Sequence, residues 1–169
     1  MKRLYLGGEK SGKSALALHA LLELPGDPLL LATGQARDFG FREQILAHRS
    51  QRPPRVAVIE TGPDLPERLA QAVAQGRPVL ADSLDFWLFA VQEAGREAER
   101  IQALLAALDD TAGGHVILVS CEAGLGPVAA TADIRAFVRS LGALNQAVAR
   151  RCEEVVLAVA GRALPIPSP

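Results

Sequence analysis

Short aliphatic runs alternate with longer stretches of helical periodicity along the chain, and this alternation limits the possible folds more than any other feature. Most of the runs are almost uniformly aliphatic, as is typical of strands that helices cover on both faces of a parallel sheet. The predicted strands are residues 3–6, 29–33, 56–60, 78–82, 116–120 and 155–159. The predicted helices are residues 13–24, 38–49, 65–74, 85–94, 97–109 and 132–152. The pattern therefore predicts an α/β protein of three layers, in which helices flank a mostly parallel sheet.

Chain length predicts a single domain. The 169 residues fit one hydrophobic core, because domains usually contain roughly 100 to 200 residues. No linker is predicted within residues 1–169. Residues 163–169 include three prolines, and we expect them to form a frayed tail.

Charge and aromatic content disfavour nucleic acid as a partner. Eighteen basic side chains against nineteen acidic ones give a net charge of −1, and aromatic residues make up 4% of the chain. Neither a basic surface for phosphate backbones nor a platform for base stacking is expected. No apolar stretch approaches the roughly 18 residues needed to cross a bilayer, and the two cysteines lack C-x-x-C spacing. We therefore expect a reduced, cytoplasmic protein without a membrane span.

A glycine-rich segment lies between the first predicted strand and the first predicted helix. It reads Gly7-Gly8-Glu9-Lys10-Ser11-Gly12-Lys13-Ser14 and satisfies the pattern G-x-x-x-x-G-K-[ST]. Its glycines allow consecutive amides to turn inward around a phosphate, and the helix N-terminus adds partial positive charge. Lys13 can reach the β and γ phosphates of a nucleoside triphosphate, and the Ser14 hydroxyl can bind the accompanying Mg²⁺. The segment predicts a P-loop and a P-loop NTPase-like fold, although Lys10 can also be a simple surface charge.

Two acidic residues end neighbouring aliphatic strands. Asp82 ends the predicted strand 78–82, and Glu122 follows the predicted strand 116–120. Ligands of open α/β sheets collect at this edge. Asp82 is therefore a candidate for the magnesium site, and Glu122 is a second candidate at the same edge. Either carboxylate could instead cap a helix.

A second motif resembles one found in regulatory GTPases but stands in the wrong context. Asp110-Thr111-Ala112-Gly113 matches D-x-x-G, yet it follows a predicted helix, whereas the GTPase motif follows a strand. The guanine-reading sequence N-K-x-D does not occur in the chain. These observations favour a turn that ends a helix.

His48 differs from the other two histidines in its surroundings. His19 falls inside the first predicted helix and His115 at the start of a predicted strand, so both are expected to be structural. His48 ends the second predicted helix and is followed by Arg49-Ser50-Gln51-Arg52. Nearby guanidinium groups favour a neutral, nucleophilic imidazole, which can attack phosphorus while arginines hold the charged oxygens. A histidine at a helix C-terminus is also a common cap, so both interpretations stay open.

Taken in order, the motifs of the chain resemble those of one family, the bifunctional adenosylcobinamide kinase/adenosylcobinamide-phosphate guanylyltransferases of cobalamin synthesis. The P-loop alone is shared by many enzymes, but the ordered set is specific. It comprises the P-loop, Ala32-Thr33-Gly34-Gln35, His48 with Arg52-Pro53, Glu60, Leu80-Ala81-Asp82-Ser83, the run from Cys121-Glu122 to Gly126, and Asn145-Gln146.

The resemblance implies two reactions. A nucleoside triphosphate, GTP or ATP with Mg²⁺, phosphorylates the hydroxyl of the aminopropanol arm of adenosylcobinamide. GTP then transfers GMP to the enzyme, and adenosylcobinamide phosphate accepts it to give adenosylcobinamide-GDP. By resemblance, His48 carries the GMP and the enzyme forms a homotrimer. The implied nucleotide contacts are the P-loop residues with Thr33, Gly34, Gln35, Arg49, Ser50, Gln51, Arg52, Glu60 and Asp82. Glu60 could bind the guanine edge or a ribose hydroxyl.

Two other classes of function remain possible from the sequence. A plain small-molecule kinase would explain the P-loop and Asp82 and would leave His48 as a helix cap. A non-enzymatic nucleotide switch is disfavoured, because the guanine-reading motif is missing.

Overall fold

The computed structural model of the protein describes residues 1–34, 54–111, 113–126 and 130–168. The helix predicted at residues 38–49 lies outside these ranges.

The described residues form one seven-stranded sheet with the strand order β3-β2-β4-β5-β1-β6-β7. All neighbouring strands pair in parallel except β6 and β7. The strands are β1 Lys2–Gly7, β2 Leu29–Ala32, β3 Ala57–Glu60, β4 Val79–Asp82, β5 Val116–Cys121, β6 Glu154–Val159 and β7 Arg162–Ile166. The described helices are α1 Lys13–Leu22, α2 Leu65–Ala74, α3 Leu84–Glu93, α4 Glu97–Asp110 and α5 Ala132–Ala149, with a 3₁₀ turn at Ala123–Leu125.

Successive strand residues point to opposite faces of the sheet and enter two separate cores. Leu4 and Leu118 pack on the face covered by α2 to α5, together with the buried Trp87. Tyr5 and Ile117, their neighbours along the strands, pack on the other face against α1. The predicted three-layer fold with a mostly parallel sheet is confirmed.

The prediction of a frayed tail is wrong for residues 163–166. These residues belong to β7, which pairs antiparallel with β6 from Val159↔Arg162 to Val155↔Ile166. A two-residue turn joins the strands, with φ of 50° at Ala160 and 75° at Gly161, the positive angles that a tight hairpin requires. Pro165 is tolerated because β7 is an edge strand, where a missing amide donor breaks no ladder.

Asp64 precedes α2 and accepts hydrogen bonds from three residues. Thr61 Oγ1 and the Gly62 amide donate to Oδ1 at 2.9 and 3.0 Å, and Arg68 Nε donates to Oδ2 at 2.9 Å. Partial burial opposes ionisation, but these hydrogen bonds outweigh it and lower the pKa of Asp64 to about 2. The ionised carboxylate therefore stabilises the start of α2.

Replacing Asp64 by alanine should lower the free energy of unfolding by about 1 kcal/mol at neutral pH, because three donors lose their acceptor and turn to water instead. The pKa of Asp64 is lower in the folded protein than the usual value of about 3.9, so its contribution is complete above about pH 4 and is lost toward pH 2. Urea unfolding at pH 7 and pH 2.5 should show the gap between wild type and Asp64→Ala narrowing at the lower pH. An equal gap at both pH values would contradict this assignment.

Candidate active site

The segment Gly7 to Ser14 connects β1 to α1 in a shape that directs its backbone inward. Lys10 and Gly12 both have positive φ, 55° and 92°, and the Ser11 amide donates to the Gly8 carbonyl at 3.3 Å. Helix α1 begins directly afterwards, at Lys13. Alternating left-handed and right-handed residues form the concave nest of amides that binds anions, so the loop geometry is that of the predicted P-loop.

The Lys13 ammonium lies over this loop. Its Nζ donates to the Gly8 carbonyl at 3.1 Å, and the side chain remains open to solvent. Glu9 and Lys10 are exposed on the rim of the loop. A bound phosphate would compete with the Gly8 carbonyl for the ammonium, since a hydrogen bond between charged groups is stronger than one to a neutral oxygen.

Ser14 and Asp82 meet beside the loop. The Ser14 hydroxyl, in the first turn of α1, donates to Asp82 Oδ1 at the end of β4 at 3.2 Å. A hydroxyl and a carboxylate are oxygen ligands that suit Mg²⁺, which usually takes one or two protein ligands and completes its shell with water and substrate phosphates. Among the described residues no group of three or more His, Cys, Asp or Glu could hold a metal. The pair therefore fits Mg²⁺ that arrives with a nucleotide.

Thr33 fixes the end of β4, where Asp82 lies. Its Oγ1 accepts from the Ser83 amide at 2.7 Å and donates to the Ser83 carbonyl at 2.6 Å. Its amide donates to the Asp82 carbonyl at 3.1 Å. The Thr33 side chain is buried and committed to this backbone, so its hydroxyl holds β4 in place. Gly34 follows, with the Phe86 ring beside it.

A polar cluster that sequence reasoning did not assign holds the end of β5. Asn145 on α5 accepts from the Ser120 hydroxyl at 2.6 Å and donates to the Cys121 carbonyl at 3.0 Å. Asp85 Oδ1 on α3 accepts from the Cys121 amide at 3.2 Å. The sequence indicates the pair Asn145-Gln146 only as part of the family pattern, and it predicts no role for Asp85. The feature of the sequence that could point to Asp85 is an acidic residue in the first turn of the helix that follows Asp82.

Glu122 acts as a cap in this structure. Its Oε1 accepts from the Gly124 amide at 3.2 Å at the start of the 3₁₀ turn. Its backbone amide donates to the Gly7 carbonyl at 3.1 Å, which ties β5 to the first residue of the P-loop. Of the two interpretations of Glu122, the structure supports the cap.

Cys121 lies close to the same residues but is not suited to act as a nucleophile. Burial raises the pKa of its thiol, and the Asp85 carboxylate raises it further, while Lys13 has the opposite effect. The reactive form of cysteine is the thiolate, so this thiol stays protonated and unreactive near neutral pH.

The implied nucleotide contacts spread across the edge of the sheet. Asp82 lies near the P-loop, but Glu60 ends the edge strand β3 and is exposed. Four strand spacings separate β3 from β1, which is roughly 19 Å at about 4.8 Å per strand. Glu60 therefore lies far from the P-loop, on the outermost strand of that side of the sheet. The other implied contacts, Gln35, His48, Arg49, Ser50, Gln51 and Arg52, lie outside the described residues.

Comparison with known proteins identifies the family. The model of the cobinamide kinase / cobinamide phosphate guanyltransferase family (CobU) matches residues 3–166. The chain belongs to this family. It is 37% identical over 169 residues to the bifunctional adenosylcobalamin biosynthesis protein CobP of Pseudomonas aeruginosa, with 98% of this chain and 97% of that protein covered. It is 30% identical over 178 residues to the bifunctional adenosylcobalamin biosynthesis protein CobU of Escherichia coli K12, with 95% and 97% covered.

Solved structures agree with the fold of this CobU-family enzyme. The ADP complex of the P4 protein of bacteriophage phi6 matches with a TM-score of 0.50 and 19% identity, over 96% of this chain and 52% of that one. The ATPase EscN of the type III secretion system of enteropathogenic E. coli matches with a TM-score of 0.52 and 16% identity, over 94% and 43%. The chain thus spans about half the length of these two proteins. None of the helices described here is long and apolar enough to cross a membrane.

Replacing Asp82 by asparagine should lower kcat/KM for phosphoryl transfer about 10-fold to 100-fold and raise the Mg²⁺ concentration needed for half-maximal rate. The variant keeps the shape of the side chain but removes the charge that a divalent ion needs. The measurement is the initial rate against Mg²⁺ at saturating nucleotide. Asp109→Asn is the matched control, because Asp109 pairs with Arg151 away from the loop. Equal Mg²⁺ dependence in wild type and Asp82→Asn would remove Asp82 from the metal site.

Proposed function

We propose that this CobU-family enzyme phosphorylates adenosylcobinamide with a nucleoside triphosphate and then transfers GMP from GTP to adenosylcobinamide phosphate. The observation that carries the proposal is the P-loop whose Ser14 meets Asp82, in a chain that matches the family model over residues 3–166. Two relatives named as bifunctional proteins of adenosylcobalamin biosynthesis are covered over 97% of their length.

In the first reaction the aminopropanol hydroxyl attacks the γ phosphorus. The bond between that phosphorus and the β–γ bridging oxygen breaks, a new P–O bond forms, and the hydroxyl proton is released. The loop amides and Lys13 hold the β and γ phosphates and stabilise their charge as it shifts. Ser14 and Asp82 would hold Mg²⁺, which when bound neutralises phosphate charge. The protein's part is to position groups and to supply electrostatic stabilisation.

In the second reaction an imidazole nitrogen of His48 attacks the α phosphorus of GTP and pyrophosphate leaves. The resulting phosphoramidate holds GMP, until a phosphate oxygen of adenosylcobinamide phosphate attacks the same phosphorus and releases the histidine. Imidazole is both a good nucleophile and a good leaving group, so it suits a temporary carrier. Arg49 and Arg52 are proposed to hold the charged oxygens. The support for these residues is the H-x-x-x-R-P sequence.

Thr33, Gly34, Gln35 and Glu60 are proposed to bind the nucleoside end of GTP. For Thr33, Gly34 and Glu60 the support is their position, because Thr33 and Gly34 follow β2 and Glu60 ends β3, on the side of the sheet away from the loop. For Gln35 the support is the Ala32-Thr33-Gly34-Gln35 sequence. In this arrangement the Thr33 contact would come through its backbone carbonyl, because its hydroxyl is engaged with Ser83 and its amide with Asp82.

A cytoplasmic homotrimer is also proposed. A corrinoid is too large for a pocket in a domain of this size to enclose, and a cleft between subunits would offer more surface. Small-angle scattering at working concentration should give the mass of three chains. A monomer would contradict this part of the proposal.

The guanylyl step can be tested by covalent labelling. With α-³²P-GTP and Mg²⁺ the protein should acquire label that is lost in acid and kept in base, as a phosphoramidate is. His48→Ala should abolish the label. His19→Ala is the matched control, because His19 is an exposed histidine of α1 and its loss should leave labelling within twofold.

The chase distinguishes this proposal from a plain kinase. Adenosylcobinamide phosphate added to labelled protein should remove the label and form labelled adenosylcobinamide-GDP. Phosphorylation of adenosylcobinamide without any protein label would favour the plain kinase. Label that persists in His48→Ala would assign the carrier to another residue.

A further inference from the structure

The tip of the β6–β7 hairpin rests on the P-loop. The Gly161 amide donates to the Ser11 carbonyl at 2.8 Å. The contact is tight: a Cβ placed on Gly12 would come within 2.9 Å of Gly161 Cα. Two backbones thus meet with no side chain between them.

The strand register explains why the tip arrives there. β6 lies beside β1 in parallel, and Gly7 pairs with Ala158 at their ends. The chain of β6 continues for one more residue, turns at Ala160–Gly161 and returns as β7. The turn therefore overhangs the loop that follows β1.

The contact fixes a loop residue that has little other support. Ser11 is 9% exposed, and its Oγ has no hydrogen-bond partner among the described residues. Its amide makes only the long 3.3 Å bond to Gly8. Within the part of the chain that the structure describes, the hydrogen bond from the Gly161 amide is therefore the shorter of two backbone hydrogen bonds that Ser11 makes.

β7, the second strand of the hairpin, contributes no buried residue to either of the two hydrophobic cores. Every residue of β7 is exposed, and Ala160 takes a positive φ that alanine disfavours. The contact at its tip accounts for a turn that keeps an unfavourable residue, next to a strand that leaves about half of its Leu164 and Ile166 side chains exposed.

We propose that the β6–β7 hairpin is a positioning element of the P-loop, in which Gly161 holds the Ser11 backbone so that the loop amides are preorganised for a triphosphate. This inference rests on the nucleotide-binding part of the proposed function. It does not depend on the corrinoid or on His48.

Gly161→Val tests the proposal, because a β-branched residue cannot keep φ near 75° and should displace the turn. We expect the Kd of GTP and of ATP, each titrated calorimetrically with Mg²⁺, to rise at least 10-fold. Gly161→Ala is the milder variant, with open space for its Cβ, and should raise Kd about threefold while remaining folded. In phosphoryl transfer the KM for the triphosphate should rise while the KM for the acceptor stays within twofold.

Ile166→Gly is the matched control. It weakens β7 at the end farthest from the turn, where Ile166 pairs with Val155, and should lower Tm without changing Kd more than twofold. Ala160→Gly relieves the unfavourable turn residue and should keep or tighten nucleotide binding. Unchanged Kd in both Gly161 variants, or an equal rise in Ile166→Gly, would overturn the proposal. Because binding is measured without a corrinoid, loss of the transferase reactions alone would leave this inference standing.

Discussion

The site depends on one constraint, which is that a phosphate-binding loop made of backbone amides must be held in shape by the structure around it. Side chains can adapt to a ligand, but amides point where the chain directs them, so preorganisation must come from outside the loop. Here the Glu122 amide, which follows β5, donates a hydrogen bond to the Gly7 carbonyl. Asp82, at the end of β4, accepts one from the Ser14 hydroxyl. Both contacts require β4, β5 and β1 to be neighbours. The parallel order of the sheet, and the two cores that stabilise it, thereby determine where Gly7, Ser14 and Asp82 lie relative to one another.

A second layer of buried polar contacts keeps the strand ends in place. Thr33 holds the end of β4, and Asn145 with Asp85 holds the end of β5. These side chains satisfy backbone groups that the sheet leaves unpaired where its strands end, which matters because an unpaired buried polar group is costly. They hold the strand ends that lie beside the P-loop. This explains why Thr33, a residue of the family pattern, has a buried hydroxyl.

The features that follow from local pattern could be predicted from the sequence. The six parallel strands lie within one or two residues of their predicted bounds, because aliphatic runs between turn residues mark them clearly. The P-loop and its closeness to Asp82 could also be predicted, because the glycine pattern identifies the loop and Asp82 ends a strand at the same edge of the sheet. Two predictions about residues 150–166 were wrong, the first because residue types alone do not show that an edge strand can accommodate proline. Three prolines suggested a loose tail, whereas pairing with β6 makes residues 162–166 a strand, and α5 ends at Ala149, three residues early.

The antiparallel course of β7 also decides where the two ends of the described chain lie. β1 starts at the end of the strands opposite the P-loop, where the Met1 amino group donates a hydrogen bond to the Gly114 carbonyl. β7 runs back to that same end and stops at Ile166, beside the start of β6. Both ends of the described chain therefore lie at the strand ends opposite the P-loop, on a single side of the molecule. Immobilisation on a surface, or fusion to another protein, at either end would leave the P-loop accessible, and the closeness of the ends suits circular permutation.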